Sequence, residues 1–284
     1  MSERIIITTD SPADLPTELF ERYEDIAVIP LHITLGDESF RDDGVSVTPQ
    51  RLESFFDETG VLPKTASVSV AEYMGIFSEY TREGASVVHL SLSSGISSTY
   101  HNAVLAAAEL SGVYVVDTFA LCSSMALLLI KACELRSKGV GAKEIADAVL
   151  TLRDKTITTF IIENLGWLSK GGRCSGATAL GANILGIKPC IEMHGGVLSV
   201  GKKYRGKFTQ CQLSYVSDVL SAYKPDGKTA ILAFTDGMSS EQEEALKKQI
   251  KRTHGFKEIL TAHPGCTITA HCGPNTAAVF FITE

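Results

Sequence analysis

Apolar and polar positions alternate between two rhythms along this 284-residue chain. The run from Arg4 to Thr8 is β-branched, as expected of a strand covered on both faces. It stops at TTDSPADLP, where Asp10 and Ser11 supply turn and capping oxygens and Pro12 and Pro16 fix the exit. A short helix then leads to a second strand-like run, DIAVIPLHITL. The pattern continues through GASVVHLSL as strand, SSTYHNAVLAAAEL as helix, GVYVVDT as strand and FALCSSMALLLIKACELRSKG as helix. Strands alternating with helices predict an α/β fold with a mainly parallel sheet and helices on both faces. Ligands of such sheets sit beyond the carboxyl ends of the strands.

Three of these strands end in polar tips: Thr9, Asp10 and Ser11; Ser93 to Ser98; Asp117 and Thr118. Parallel strands would gather all three on one rim. From Thr156 the character changes, with a strand-like TTFIIENLGWL, the glycine-rich KGGRCSG and the apolar tract ALGANILGIKPCIEM. A turn at HGG, the basic strand-like VLSVGKKYRGKF, a helix near Gln212 to Tyr223, a strand TAILAFTD and a charged helix SSEQEEALKKQIKR follow. This pattern divides the chain into an N-terminal α/β domain, residues 1–155, and a C-terminal mixed-sheet α/β domain, residues 156–284.

Composition narrows the function classes. With 44% hydrophobic and 21% charged residues the chain reads as globular, and its net charge of −7 argues against a nucleic-acid partner, which would draw a basic surplus. Seven cysteines without a CxxC pair read as reduced thiols of a cytoplasmic protein, neither a disulfide framework nor a zinc site. The N-terminus lacks a signal-peptide core, and the uncharged stretch Thr118 to Ile130 is too short for an integral membrane segment.

The candidate chemistry lies at the second rim. SLSSGISS, Ser91 to Ser98, places five serines and a glycine where a strand hands over to a helix. Free N–H groups and the positive end of the helix dipole make that junction suited to an oxygen anion. Ser94, Ser97 and Ser98 are its candidate donors. Thr65 of PKTASVS would add a hydroxyl from a second segment, although that stretch also reads as a helix cap. GISST resembles a nucleophile elbow lacking its second glycine, so a serine hydrolase or acyltransferase with Ser97 as nucleophile and His271 as base is the alternative. GVLSVGKK has phosphate-loop spacing, but Lys203 stands where a hydroxyl should reach magnesium and the flanks read as strand. GGR, Gly171 to Arg173, reads as a helix C-cap whose arginine suits a carboxylate or phosphate.

Taken in order, TTDSPADLP, IPLHI with a later DDG, PKTASVS, SSGISSTYHNA, VVDT, WLSKGGR, GIKP, YRG and AHCGP resemble the DegV family of bacterial fatty-acid-binding proteins over nearly the whole chain. The resemblance implies two α/β domains around a buried long-chain fatty acid, with the carboxylate held by Thr65 and Ser97 and no cofactor. It also implies a non-enzymatic carrier that presents the acid to a separate ATP-dependent fatty acid kinase for phospholipid synthesis, with transient membrane contact. Asp10, Ser11, Ser94, Ser98, Arg173 and His271 complete the expected ligand set, and Arg205, Lys202 and Lys203 the partner-facing group. The chain departs from the family where SSTY replaces SGTY, placing Ser98 beside the carboxylate clamp, and where GGRCS replaces GGRIS, placing Cys174 nearby.

Overall fold

The computed structural model describes residues 3–174, 176–177 and 186–284, so Ser175 and the first part of the tract ALGANILGIKPCIEM lie outside the described residues. β1 (Ile5–Asp10) is buried along its whole length and is followed by α1 (Glu18–Arg22). The stretch expected to form one strand is instead β2 (Ile26–Ile29) and β3 (His32–Leu35), which belong to different sheets. Pro30 lies between them. With no N–H to donate and φ fixed, it breaks the ladder and turns the chain out of the first sheet. β4 (Glu38–Arg41), α2 (Pro49–Thr59) and β5 (Lys64–Ala66) follow, and β4 and β5 flank β3 in a small antiparallel sheet.

α3 (Val70–Arg82) begins with a reciprocal cap in which Ser69 and Glu72 each satisfy the other's backbone N–H. β6 (Ser86–Ser91), α4 (Thr99–Ala107) and β7 (Val113–Asp117) complete a four-stranded parallel sheet in the order β2-β1-β6-β7. α3 and α4 pack together on it, as do α5 (Ser123–Ser137) and α6 (Ala142–Leu152). α5 is buried without a break from Ser123 to Ile130. It touches β1 and β6 of the first sheet, and the strands Pro225–Phe234 and Thr276–Thr283 of the second. A helix that is apolar all round must be covered all round, and two sheets do this.

The second half runs β8 (Thr156–Ile157), β9 (Thr159–Ile162), α7 (Gly166–Gly171), β10 (Ile187–His194), β11 (Val197–Arg205), α8 (Phe208–Ala222), β12 (Pro225–Phe234), α9 (Ser240–Thr253), β13 (Glu258–Ala262), α10 (Cys266–Cys272) and β14 (Thr276–Thr283). Its seven-stranded mixed sheet has the order β11-β10-β9-β14-β12-β13, with β8 on β14 and only β12 and β13 parallel. Two expectations are corrected here. The strand expected through TTFIIENLGWL ends at Ile162, and GWL opens α7. His271, read as following a β-type run, lies on α10.

α10 is helical despite its strand-prone Cys, Thr and Ile residues because acids from the first half cap it. Asp42 accepts from the N–H groups of Cys266 at 2.9 Å and Thr267 at 3.1 Å, while Asp14 accepts from Gly265 N–H at 2.7 Å. Ser11 Oγ donates to Asp42 at 2.9 Å and accepts from Leu31 N–H at 3.1 Å. Negative charge at the positive end of the helix dipole completes the clasp.

Asp42→Ala leaves two buried N–H groups without an acceptor and is expected to cost about 3 kcal/mol in urea unfolding. Burial, and secondarily the Asp42 charge, raise Asp14 from 3.8 to about 7. The folded state therefore holds this proton more tightly than the unfolded chain does. Its contribution to stability is complete below about pH 4 and is lost as pH rises through about 7. Asp14→Asn should flatten that fall between about pH 4 and about pH 7, and an unchanged slope would contradict the assignment.

Candidate functional site

The parallel sheet brings the three polar tips to one rim, as its strand directions require, but most of their polar groups are spent holding loops. Asp10 is fully buried, accepting from Tyr73 Oη, from Ser91 Oγ at 3.0 Å and from Leu92 N–H at 2.8 Å. Ser93 Oγ donates to Gly196 O at 2.7 Å, and Ser94 N–H donates to Asp117 at 3.2 Å. A Cβ on Gly95 would lie 2.3 Å from Gly196 O, so only glycine lets the tip of the β10–β11 hairpin seat on the serine loop. Asp10, Ser11 and Ser94 are not in the wall of the cavity that this contact helps to close.

That cavity, of about 670 Å³ including its open mouth, lies between the serine loop, β5, β11 and α10. Thr65, Ser97, Ser98, Arg173 and His271 meet in its wall. The remainder is largely aliphatic and aromatic, with Leu92, Leu121, Phe160, Leu198 and Ile268 contributed by both halves. At the polar end the three hydroxyls are backed by other groups. His271 Nε2 lies 2.9 Å from Thr65 Oγ1. Ser97 Oγ accepts from Thr99 N–H at 3.2 Å and shares a second hydrogen bond with Thr99 Oγ1. Asn102 Nδ2 donates to Ser67 Oγ at 3.3 Å, and Ser67 Oγ lies 2.8 Å from Ser98 Oγ.

Ser67 and Asn102 belong to stretches the sequence marked as hydroxyl-rich, yet pattern alone gave no reason to single them out. Thr267 was also missed; its hydroxyl faces the cavity region with no hydrogen-bond partner among the described residues.

Burial, together with the Arg173 charge, lowers His271 from 6.5 to about 4, so the ring is neutral at ordinary pH. The Ser97–His271 pair that acyl transfer would need is not formed, because Nε2 is turned to Thr65. Gly172, at φ +71°, is the left-handed C-cap of α7, and Arg173 Nη1 donates to Gly171 O at 2.9 Å. Arg173 also reaches a wider cleft beside Thr65 and His271, where Lys64 and Lys170 are exposed. Lys202, Lys203 and Arg205 lie on β11, one edge strand of the mixed sheet; Lys202 pairs with Asp218 at 2.6 Å, and none of the three lines the cavity. GVLSVGKK forms the hairpin turn and β11, not a strand-to-helix phosphate loop.

Fold and site together define a two-part α/β protein whose buried cavity has a hydroxyl-rich end and an apolar remainder. The family described as "uncharacterised protein, DegV family" matches residues 4–284, and the chain belongs to that family. It is 30% identical to a DegV domain-containing protein of Clostridium acetobutylicum over 99% of both chains. Among solved structures it resembles a DegV lipid-binding protein of Thermotoga maritima, with TM-score 0.85, 27% identity and 99% of each chain covered. It also resembles a DegV family protein of Thermus thermophilus described as binding fatty acid, with TM-score 0.88, 26% identity, and 99% of this chain and 100% of that one covered.

Nitrogen-resolved NMR of labelled histidine should find His271 neutral at every pH above about 5; an imidazolium near neutral pH would contradict the buried environment described.

Proposed function

We propose that this protein is a carrier that binds one long-chain fatty acid without a cofactor, its carboxylate on Thr65 and Ser97 with Ser98 beside them. The observation that carries this reading is the backing of those hydroxyls at one end of an otherwise apolar cavity. A hydroxyl that already accepts a hydrogen bond has its own proton to give. Asn102 feeds Ser67, Ser67 can then feed Ser98, and Thr99 N–H feeds Ser97. If His271 carries its proton on Nε2, it donates to Thr65 and frees the Thr65 proton for the cavity. The opposite tautomer would leave a buried N–H at Nδ1, which has no partner among the described residues. A ring that is neutral, and hydroxyl donors that share one cavity wall, suit an anion joined to an apolar chain.

The second part of the proposal is that the carrier presents the carboxylate to a separate ATP-dependent fatty acid kinase. The cleft holding Lys64, Lys170 and Arg173 supports it, since this opening adjoins Thr65 and His271 and is cationic in a chain of net charge −7. A phosphoryl donor approaching the carboxylate from solvent would meet those cations. Arg205, Lys202 and Lys203 are proposed as further contacts for the partner. An acyl-transferase reading draws less support, because Ser97 faces Thr99 and not a base.

Ser97→Ala and Thr65→Val each remove one donor to a charged acceptor. Each should weaken fatty-acid binding roughly ten- to a hundredfold in a displacement titration. Unchanged affinity in folded variants would remove these residues from the site.

A further inference from the structure

Behind the cavity lies a small apolar chamber that the sequence did not foreshadow, about 250 Å³ counting its open side and the gaps between its lining atoms, with open room for about one water-sized sphere as the side chains stand. The two share Leu121, Phe160, Ile268 and Cys272 as a common wall. The floor of the chamber is a row across three neighbouring strands. Phe160 of β9 pairs with Ala278 of β14, and Ala278 pairs in turn with Ala233 of β12. Residues paired directly across a sheet point to the same face, so two small side chains sit side by side there. The next pair on that face is Ile231 with Phe280. The alanines therefore leave a depression between Phe160 and the bulkier pair, roofed by Cys122, Ile268 and Cys272. The chamber offers a ligand little that is polar: the Thr276 hydroxyl that reaches it already donates within the chain, to Cys272 O at 3.2 Å or Gly273 O at 3.4 Å.

We propose that this chamber receives the methyl end of the acyl chain, and that the Ala233–Ala278 pair, with Phe160 as the partition that moves aside, sets the length of chain this protein prefers. The inference rests on the carrier reading and adds to it a specificity determinant remote from the carboxylate. A dry apolar chamber is not a favourable place for water, and nothing polar in it compensates a shortened ligand. Each methylene that enters tightens binding about fourfold, whereas one that stops short of the partition gains nothing from the chamber. Chains too short to reach the partition should bind without regard to what lines the chamber.

The test fills the depression. Ala278→Leu, and independently Ala233→Leu from the neighbouring strand, place a larger side chain in the chamber and leave the hydroxyl end untouched. Titration of the unmodified protein and both variants with decanoic and hexadecanoic acids separates the outcomes. The expected result is a loss of about tenfold or more in hexadecanoic acid affinity with decanoic acid binding retained, and that retained binding also certifies the fold. Equal affinity for hexadecanoic acid in a variant that still binds decanoic acid would overturn the length determinant and leave the carrier reading intact. If the unmodified protein binds neither acid, the carrier reading fails and this inference with it. Should one variant fail to fold, the other decides.

Discussion

Two acids near the start of the chain, Asp14 and Asp42, hold the open end of a helix near its finish. Cys266, Thr267 and Gly265 would otherwise present buried N–H groups to nothing, and the helix they begin has only two turns with which to offset that cost. The clasp closes the cavity wall because the same helix carries Ile268 and His271. Ser11 and Leu31 join it, so β1, the start of the small sheet and α10 form one connected network. Burying two carboxylates this close keeps one of them protonated more readily than usual, which is the physical reason for the raised Asp14.

The serine loop divides its labour in the same way. Ser91 secures Asp10, Ser93 holds the hairpin through Gly196, and Ser94 is tied by its backbone to Asp117. That leaves Ser97 and Ser98 in the cavity wall. A loop with fewer hydroxyls would have to abandon either the scaffold or the donors. In the proposed carrier, the carboxylate is thus held by groups whose positions are fixed by bonds made elsewhere, which lowers the ordering cost of binding.

Much of this was legible in the sequence. β-branched runs and helical stretches gave the parallel sheet, and serines around a glycine marked the rim that faces the cavity. Thr65, Ser97, Arg173 and His271, carried over by family resemblance, meet in one wall together with Ser98, where the chain departs from the family pattern. Asp10 and Ser11 were read as part of that site because both stand at a strand tip, but position at a tip does not say which way a carboxylate turns. Burial turned Asp10 inward to Tyr73 and Leu92, and Ser11 to Asp42. The small sheet was hidden in one strand-like run, DIAVIPLHITL, in which Pro30 alone signalled the break. The helix carrying His271 was hidden because its start depends on acids more than two hundred residues away in sequence. The alanine pair was equally out of reach, since only strand register brings Ala233 and Ala278 together.

The central claim is that the cavity is occupied by a fatty acid held at its hydroxyl end. Native mass spectrometry of the purified protein, followed by solvent extraction and identification of what is released, tests it most directly. The account predicts one acyl chain per protein, released as a free acid. A protein that carries no lipid and takes up none when offered, but is labelled at Ser97 by an activated-serine probe, would contradict it in favour of acyl transfer.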